Sequence, residues 1–192
     1  MDIVTTLAGV PDEVTALRGH RQVAVDQTQL AYELLLEPDD ETSMSRSERW
    51  AVAAFVAILH ADDAASEHYL DGLRTIDADL AATIETVAED GVATGPYGSY
   101  PAGPLTVEDV PGGELVLDPL VAERLGTRLA TALGHAHRLV LHPRDARPEW
   151  LAALSDAGWD RRGIVVLSQL VSYLAYQLRL VAGLRAVQEA RS

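Results

Sequence analysis

Ser45–Leu73 reads SRSERWAVAAFVAILHADDAASEHYLDGL, and its periodicity decides the fold. Trp50, Ala53, Ala54, Ala57, Ile58 and Ala61 recur at intervals of three or four, the spacing of one helical face. Ser45 followed three residues later by Glu48 is a capping box, in which each side chain meets the other's orphan backbone amide, so a helix begins there. Its many alanines let neighbouring helices approach closely, which makes this helix central. Asp62 and Asp63 suit the start of a fresh helix, because a carboxylate there caps amides and complements the dipole. A break is therefore expected near His60–Asp63, with a second helix running to Leu73 and a third over Ala78–Ala88, where Leu80, Ile84 and Val87 recur.

Outward from this stretch the helical pattern continues. A short helical lead-in with Pro11 near a helix start precedes a helix over Arg21–Glu37, which Pro38 and the acidic run Asp39, Asp40, Glu41 end. From Asp90 to Pro119 the periodicity dissolves into a glycine- and proline-rich loop, with short extended pieces expected at Leu105–Val107 and Glu114–Leu117. Tyr97 and Tyr100 suit either a lid or a plain surface crossover. Helical signals return over Leu120–Leu141 and Pro148–Ala157, where Gly158 is a stop, and Asp160 starts a last, most apolar helix towards Val187. Ile164–Leu184 has the length of a membrane span, yet Ser168, Gln169, Ser172, Gln177 and Arg179 interrupt it, and it reads as a buried core helix. The class is all-α, a compact domain of about seven to eight helices. Residues 1–89 form one half, 90–119 a long loop and 120–192 the other half.

The chain has 192 residues, of which 48% are hydrophobic, enough for one domain with a substantial core. Its 29 acidic against 15 basic residues give a net charge of -14, a field that repels polyanions and argues against a nucleic-acid partner. No cysteine is present, which excludes disulfides, thiolate metal sites, thiol nucleophiles and dithiol redox chemistry. The first residues lack a basic segment followed by an apolar one, so a cytoplasmic location is expected and no membrane partner.

Candidate chemistry concentrates where imidazoles and carboxylates meet: His60, Asp62, Asp63, Glu67 and His68 lie within nine residues. Were the helix continuous, His60, Asp63 and Glu67 would share a face. Three readings compete. A divalent metal could sit on His60 and Asp63, with Glu67 and His68 near, since imidazole and carboxylate suit several such ions. His68 could transfer protons as a general acid or base, oriented by Glu48 or Glu67. The residues could equally be structural, with His68 hydrogen-bonded and the aspartates capping. Trp50 and Tyr69 are the candidates for bounding a substrate pocket beside His68. His135 and His137 are two apart and face apart, and His142 is placed in a last helical turn, where its cation would complement the dipole. No phosphate loop, nucleophile elbow or dinucleotide fingerprint is found.

SERWAVAAFVAILHADDAASEHYLDGL resembles the core helix pair of the carboxymuconolactone decarboxylase and alkyl hydroperoxidase D-like superfamily, whose peroxidase members read approximately E-R-E-L-I-A-L-x-V-A-x-L-x-x-C-x-x-C-x-x-x-H. LAGV, ALRGHR, QTQLAYELL and the terminal RPEWLAALSDAGWDRRGIVVLSQLVSYLAYQLRLVAGL resemble the larger, peroxidase-related members, so the likeness spans most of the chain. With the histidine registered on His68, Ala61 and Ala64 stand where the family has its two thiols. The family glutamate falls on Arg49, with Glu48 one residue away. The resemblance implies an all-helical fold of two related halves, usually a homo-oligomer, with no cofactor expected. Dithiol peroxidase chemistry is excluded. What it implies instead is a cysteine-free member that binds a small organic molecule or partners a cysteine-bearing relative, or else a non-thiol enzyme in which His68 moves a proton on a small organic acid or lactone.

Overall fold

The computed structural model describes residues 2–191, and its helices begin where short polar side chains can close their first turns. Asp2 caps α1 (Ile3–Ala8), Ser45 caps α4 (Arg46–Leu59), Asp62 caps α5 (Asp63–Ile76), Asp77 caps α6 (Ala78–Gly91), Asp118 caps α7 (Pro119–Leu141) and Asp160 caps α9 (Arg161–Glu189). Each accepts from a backbone amide of the first turn, satisfying donors that the helix itself cannot. The Ser45–Glu48 capping box is complete, with Glu48 Oε2 accepting from the Ser45 amide at 2.8 Å. Short α2 (Asp12–Thr15) and α8 (Pro148–Asp156), together with α3 (Gln22–Leu36), complete the set. Gly158 stops the α8 segment at φ 89°, a left-handed turn that favours glycine. Among the described residues there is no strand, only an isolated antiparallel bridge between Gly98 and Val110. The chain is all-α, as its periodicity predicts.

Helix α4 is the centre. Residues Ala51–Ala57 are wholly excluded from solvent, and α4 packs against α5, α6, α7 and α9. One apolar core joins both halves, from Val4 in α1 through Phe55 to Leu133 in α7 and Leu174 in α9. α9 is long and apolar enough to cross a membrane by length and composition, but here its buried side, including Leu167, Leu170, Leu174 and Val181, packs on α1, α3, α4 and α7. A polar chain runs through this core. Tyr69 donates to Gln177 Oε1 at 2.5 Å, Gln177 Nε2 donates to the Tyr173 hydroxyl at 3.1 Å, and Tyr173 donates to the Thr28 carbonyl at 3.2 Å. It links α5, α9 and α3, and each buried polar atom named has a partner, which is what makes the chain tolerable in a core.

Residues 92–118 form a strap across the end of α7. The extended pieces expected at Leu105–Val107 and Glu114–Leu117 are absent: Pro104–Glu108 is a 3-10 turn and 114–117 pairs with no strand. Side-chain and backbone contacts to α7 and the segment after it hold the strap instead. Arg138 pairs with Glu114 at 2.6 Å, Arg144 donates to the Glu108 carbonyl at 3.2 Å, and the Tyr97 amide donates to the Leu141 carbonyl at 2.6 Å.

Candidate functional site

The break between α4 and α5 is where the ionisable cluster divides. The helix ends at Leu59; His60 closes it, Ala61 takes φ 53°, and Asp62 caps the next helix. A left-handed residue here redirects the chain, so the three-and-four spacing of His60, Asp63 and Glu67 does not put them on one face. Asp62 is nearly buried and fully engaged: Oδ1 accepts from the Ala65 amide at 2.9 Å, and Oδ2 meets Arg185 Nη1 at 2.6 Å. Arg185 also donates to the carbonyls of Leu7 and Ala8, tying α1 to this turn.

Five of the expected site residues take other roles. Glu48 does not orient His68; its carboxylate is shared between the cap at Ser45 and an ion pair with Arg128 Nε at 2.6 Å. Glu67 is exposed and pairs with Arg74 at 3.0 Å. Trp50 lies in the core over Gly72 and donates to Glu37 Oε1 at 2.9 Å, and Tyr69, 0% exposed, belongs to the polar core chain, so neither bounds a substrate pocket. Asp63 is exposed in the first turn of α5, and among the described residues no three His, Asp or Glu side chains gather as a metal would need, so His60 and Asp63 lack a third protein donor. Arg49, at the family's glutamate position, is buried and donates to the carbonyls of Met44 and Leu35.

His68 is half-buried, its ring edge-on to Tyr69 at 5.0 Å, and Nε2 lies 2.8 Å from the Tyr32 hydroxyl. Burial lowers its affinity for a proton, against the opposing charge of Asp71. Burial raises Tyr32 to about 12, helped by Glu37, so this neighbour is a weak acid. His68 is not among the residues that line the cavity beside the α4–α5 turn.

That cavity, of about 970 Å³, is bounded by His60 and Ala61 on one side, by Ser172, Tyr176 and Arg179 of α9 on another, and by residues 92–96 of the strap. Leu139, Leu141 and Val171 make much of its wall apolar. His60 Nε2 is shielded from solvent with no hydrogen-bond partner. Burial first, then the charge of Arg179, lowers the His60 pKa, with Asp62 opposing. Among the described residues Arg179 donates only to the Ala175 carbonyl of its own helix, at 2.9 Å, and forms no ion pair. The lining holds this one arginine and no aspartate or glutamate, in a chain whose net charge is -14. Ala61 and Ala64, the positions where the resemblance implies thiols, are both exposed at the start of α5, and Ala61 lines this cavity. A helix N-terminus is where a thiolate or other anion is favoured. Ser172 and Arg179 lie 99 and 106 residues beyond the end of the quoted stretch; the sequence signal that could have found Arg179 is its position inside an otherwise apolar helix.

No family model matches the chain, and no curated protein matches it.

Four imidazoles, His60, His68, His135 and His137, have their proton affinity lowered chiefly by burial, His135 to about 4. The unfolded chain binds these protons at about pH 6.5 and the folded chain only at lower pH, so the unfolded state gains protons first as pH falls. Folding free energy is therefore at its plateau above pH 6.5 and declines as pH drops from there towards 4, by up to about 1.4 kcal/mol per pH unit for each excluded ring. Urea midpoints measured at intervals across this window check the decline, and His135→Asn should flatten it.

Proposed function

We propose that the protein is a cysteine-free member of the carboxymuconolactone decarboxylase and alkyl hydroperoxidase D-like superfamily that binds a small organic anion with an apolar body in the cavity beside the α4–α5 turn. The observation that carries this reading is Arg179, in no ion pair among the described residues, on a cavity wall whose lining, His60 included, holds no carboxylate. A guanidinium supplies charge-assisted donors in a fork that holds a carboxylate. Apolar side chains around them receive the rest of the ligand. The exposed apolar side chains Leu30, Leu34, Leu151 and Val165 support the homo-oligomer that the resemblance implies.

Calorimetric titration with short aliphatic and aromatic carboxylates, each beside its uncharged amide, tests the reading. The carboxylates bind and the amides bind weakly. Arg179→Gln lowers carboxylate affinity about tenfold or more, the scale of one charge-assisted hydrogen bond. Equal affinity for acid and amide, or an Arg179→Gln variant that binds as well as the parent, defeats it. His68→Gln leaves binding unchanged, which separates this reading from proton transfer at His68.

A further inference from the structure

At its far end the strap over residues 92–118 is fastened by the Arg138–Glu114 pair and, beside it, by one imidazole. His142, 6% exposed, follows the last turn of α7; its Nδ1 lies 3.2 Å from Asp145 Oδ2 and its Nε2 2.9 Å from the Gly113 carbonyl. Both partners are acceptors. A neutral imidazole has one N–H and can satisfy only one of them, whereas the imidazolium donates to both. Asp145 is itself built into the fastening: its Oδ1 accepts from the Ser99 amide at 3.2 Å, and its carboxylate is held below the usual range, first by His142 and then by that amide. The Tyr97 ring stands 5.3 Å from His142, and Gly112 packs on the face of Tyr97 so closely that a Cβ would fall 2.1 Å from the ring. The strap therefore meets His142 from two sides. Its nearer end, residues 92–96, forms a wall of the His60 cavity together with Leu141 and Pro143, the neighbours of His142.

We propose that His142 is a proton-dependent latch, which holds the strap against the end of α7, and so over the His60 cavity, when both ring nitrogens carry protons. Deprotonation removes one hydrogen bond and the attraction to Asp145, and the segment around Gly113 is released. The groups that face this ring act in both directions. Asp145 on the connector and Glu114 on the strap favour the imidazolium, Glu114 being already paired with Arg138. His137 of α7, its ring 6.3 Å away, opposes it, and Arg138 beside it is already paired with Glu114. The direct bonds to Asp145 and Gly113 are the short-range contacts, and they decide the sign. The consequence for ligand traffic rests on the cavity being the binding site; the latch itself does not.

Amide hydrogen exchange on the unliganded protein at about pH 5.5 and about pH 8.5, each corrected for the intrinsic rate, tests the latch. The Gly98, Ser99 and Val110 amides, all hydrogen-bonded within the strap or to Asp145, are the reporters. They exchange about tenfold more slowly at the lower pH, the effect of one charge-assisted hydrogen bond. Global stability moves the other way, because acid destabilises the four buried imidazoles, so slower exchange in acid cannot come from general tightening. His142→Gln and Asp145→Asn each abolish the difference. Protection that is equal at the two pH values, or a difference that survives either substitution, overturns the proposal. Carboxylate titrations are scored separately, so a cavity that binds nothing leaves the latch result standing.

Discussion

Arg128→Ala is expected to lower stability by about 2 kcal/mol, the scale of losing several charge-assisted hydrogen bonds from a half-buried guanidinium. Arg128 lies on α7 and holds three other segments at once. Its Nε pairs with Glu48 at 2.6 Å, Nη1 donates to the Gly158 carbonyl at 2.7 Å, and Nη2 donates to the Ser43 carbonyl at 2.8 Å. The guanidinium also covers the Trp159 ring at 3.9 Å, and the Trp159 indole returns a hydrogen bond to the Arg128 carbonyl. Truncation strands the carbonyl of buried Ser43 and half-frees Glu48, and those losses exceed the value of the contacts themselves. Urea unfolding with an unchanged slope measures the effect. Arg128→Lys keeps the charge but not the planar fork, and recovers less than half. A loss under about 1 kcal/mol would place this residue among ordinary surface ion pairs.

Gly72→Ala should cost about 2 kcal/mol, although alanine is the better helix former by about 1 kcal/mol. A Cβ at position 72 falls 2.0 Å from Trp50 Cζ3, so the indole must leave its place between α4 and α5. That move gives up the hydrogen bond to Glu37 and the packing beside His68 and Tyr69, whose rings lie 6.0 Å from the indole. In a Trp50→Leu background the obstruction is gone, and the same substitution becomes neutral or stabilising. That reversal of sign in a double-mutant cycle distinguishes steric conflict from a backbone effect. Equal costs in both backgrounds would refute the contact.

Local signals were legible in the sequence because they depend on neighbours in the chain. The Ser45–Glu48 box, the fresh start at Asp62 and the start at Asp160 each involve side chains within three residues of the amides they serve, and the stop at Gly158 is that glycine's own left-handed backbone. The strap could be recognised as irregular, but not how it is fixed, since its fastenings to Arg138, His142 and Arg144 join residues 24 to 36 apart and leave no periodic mark. The site was misread for a related reason. Closeness along the chain suggested that His60, Asp63, Glu67 and His68 converge; the left-handed turn at Ala61 separates them, and His60 shares a cavity lining with residues of α9. Glu48 carries both a cap that sequence reveals and an ion pair with a residue 80 positions away that it does not.

α9 touches the flanks of α4 at both ends. Near its start, Asp160 Oδ2 accepts from the Ser43 hydroxyl at 2.9 Å, just before α4 begins; near its finish, Arg185 grips Asp62, just after α4 ends. The two helices are thus measured against each other like a rod between fixed jaws. One residue added to or taken from either would shift one jaw by about 1.5 Å and turn it by about 100°. Length variation in this chain is therefore confined to the segments outside the two jaws, and the strap is the long stretch that can absorb it.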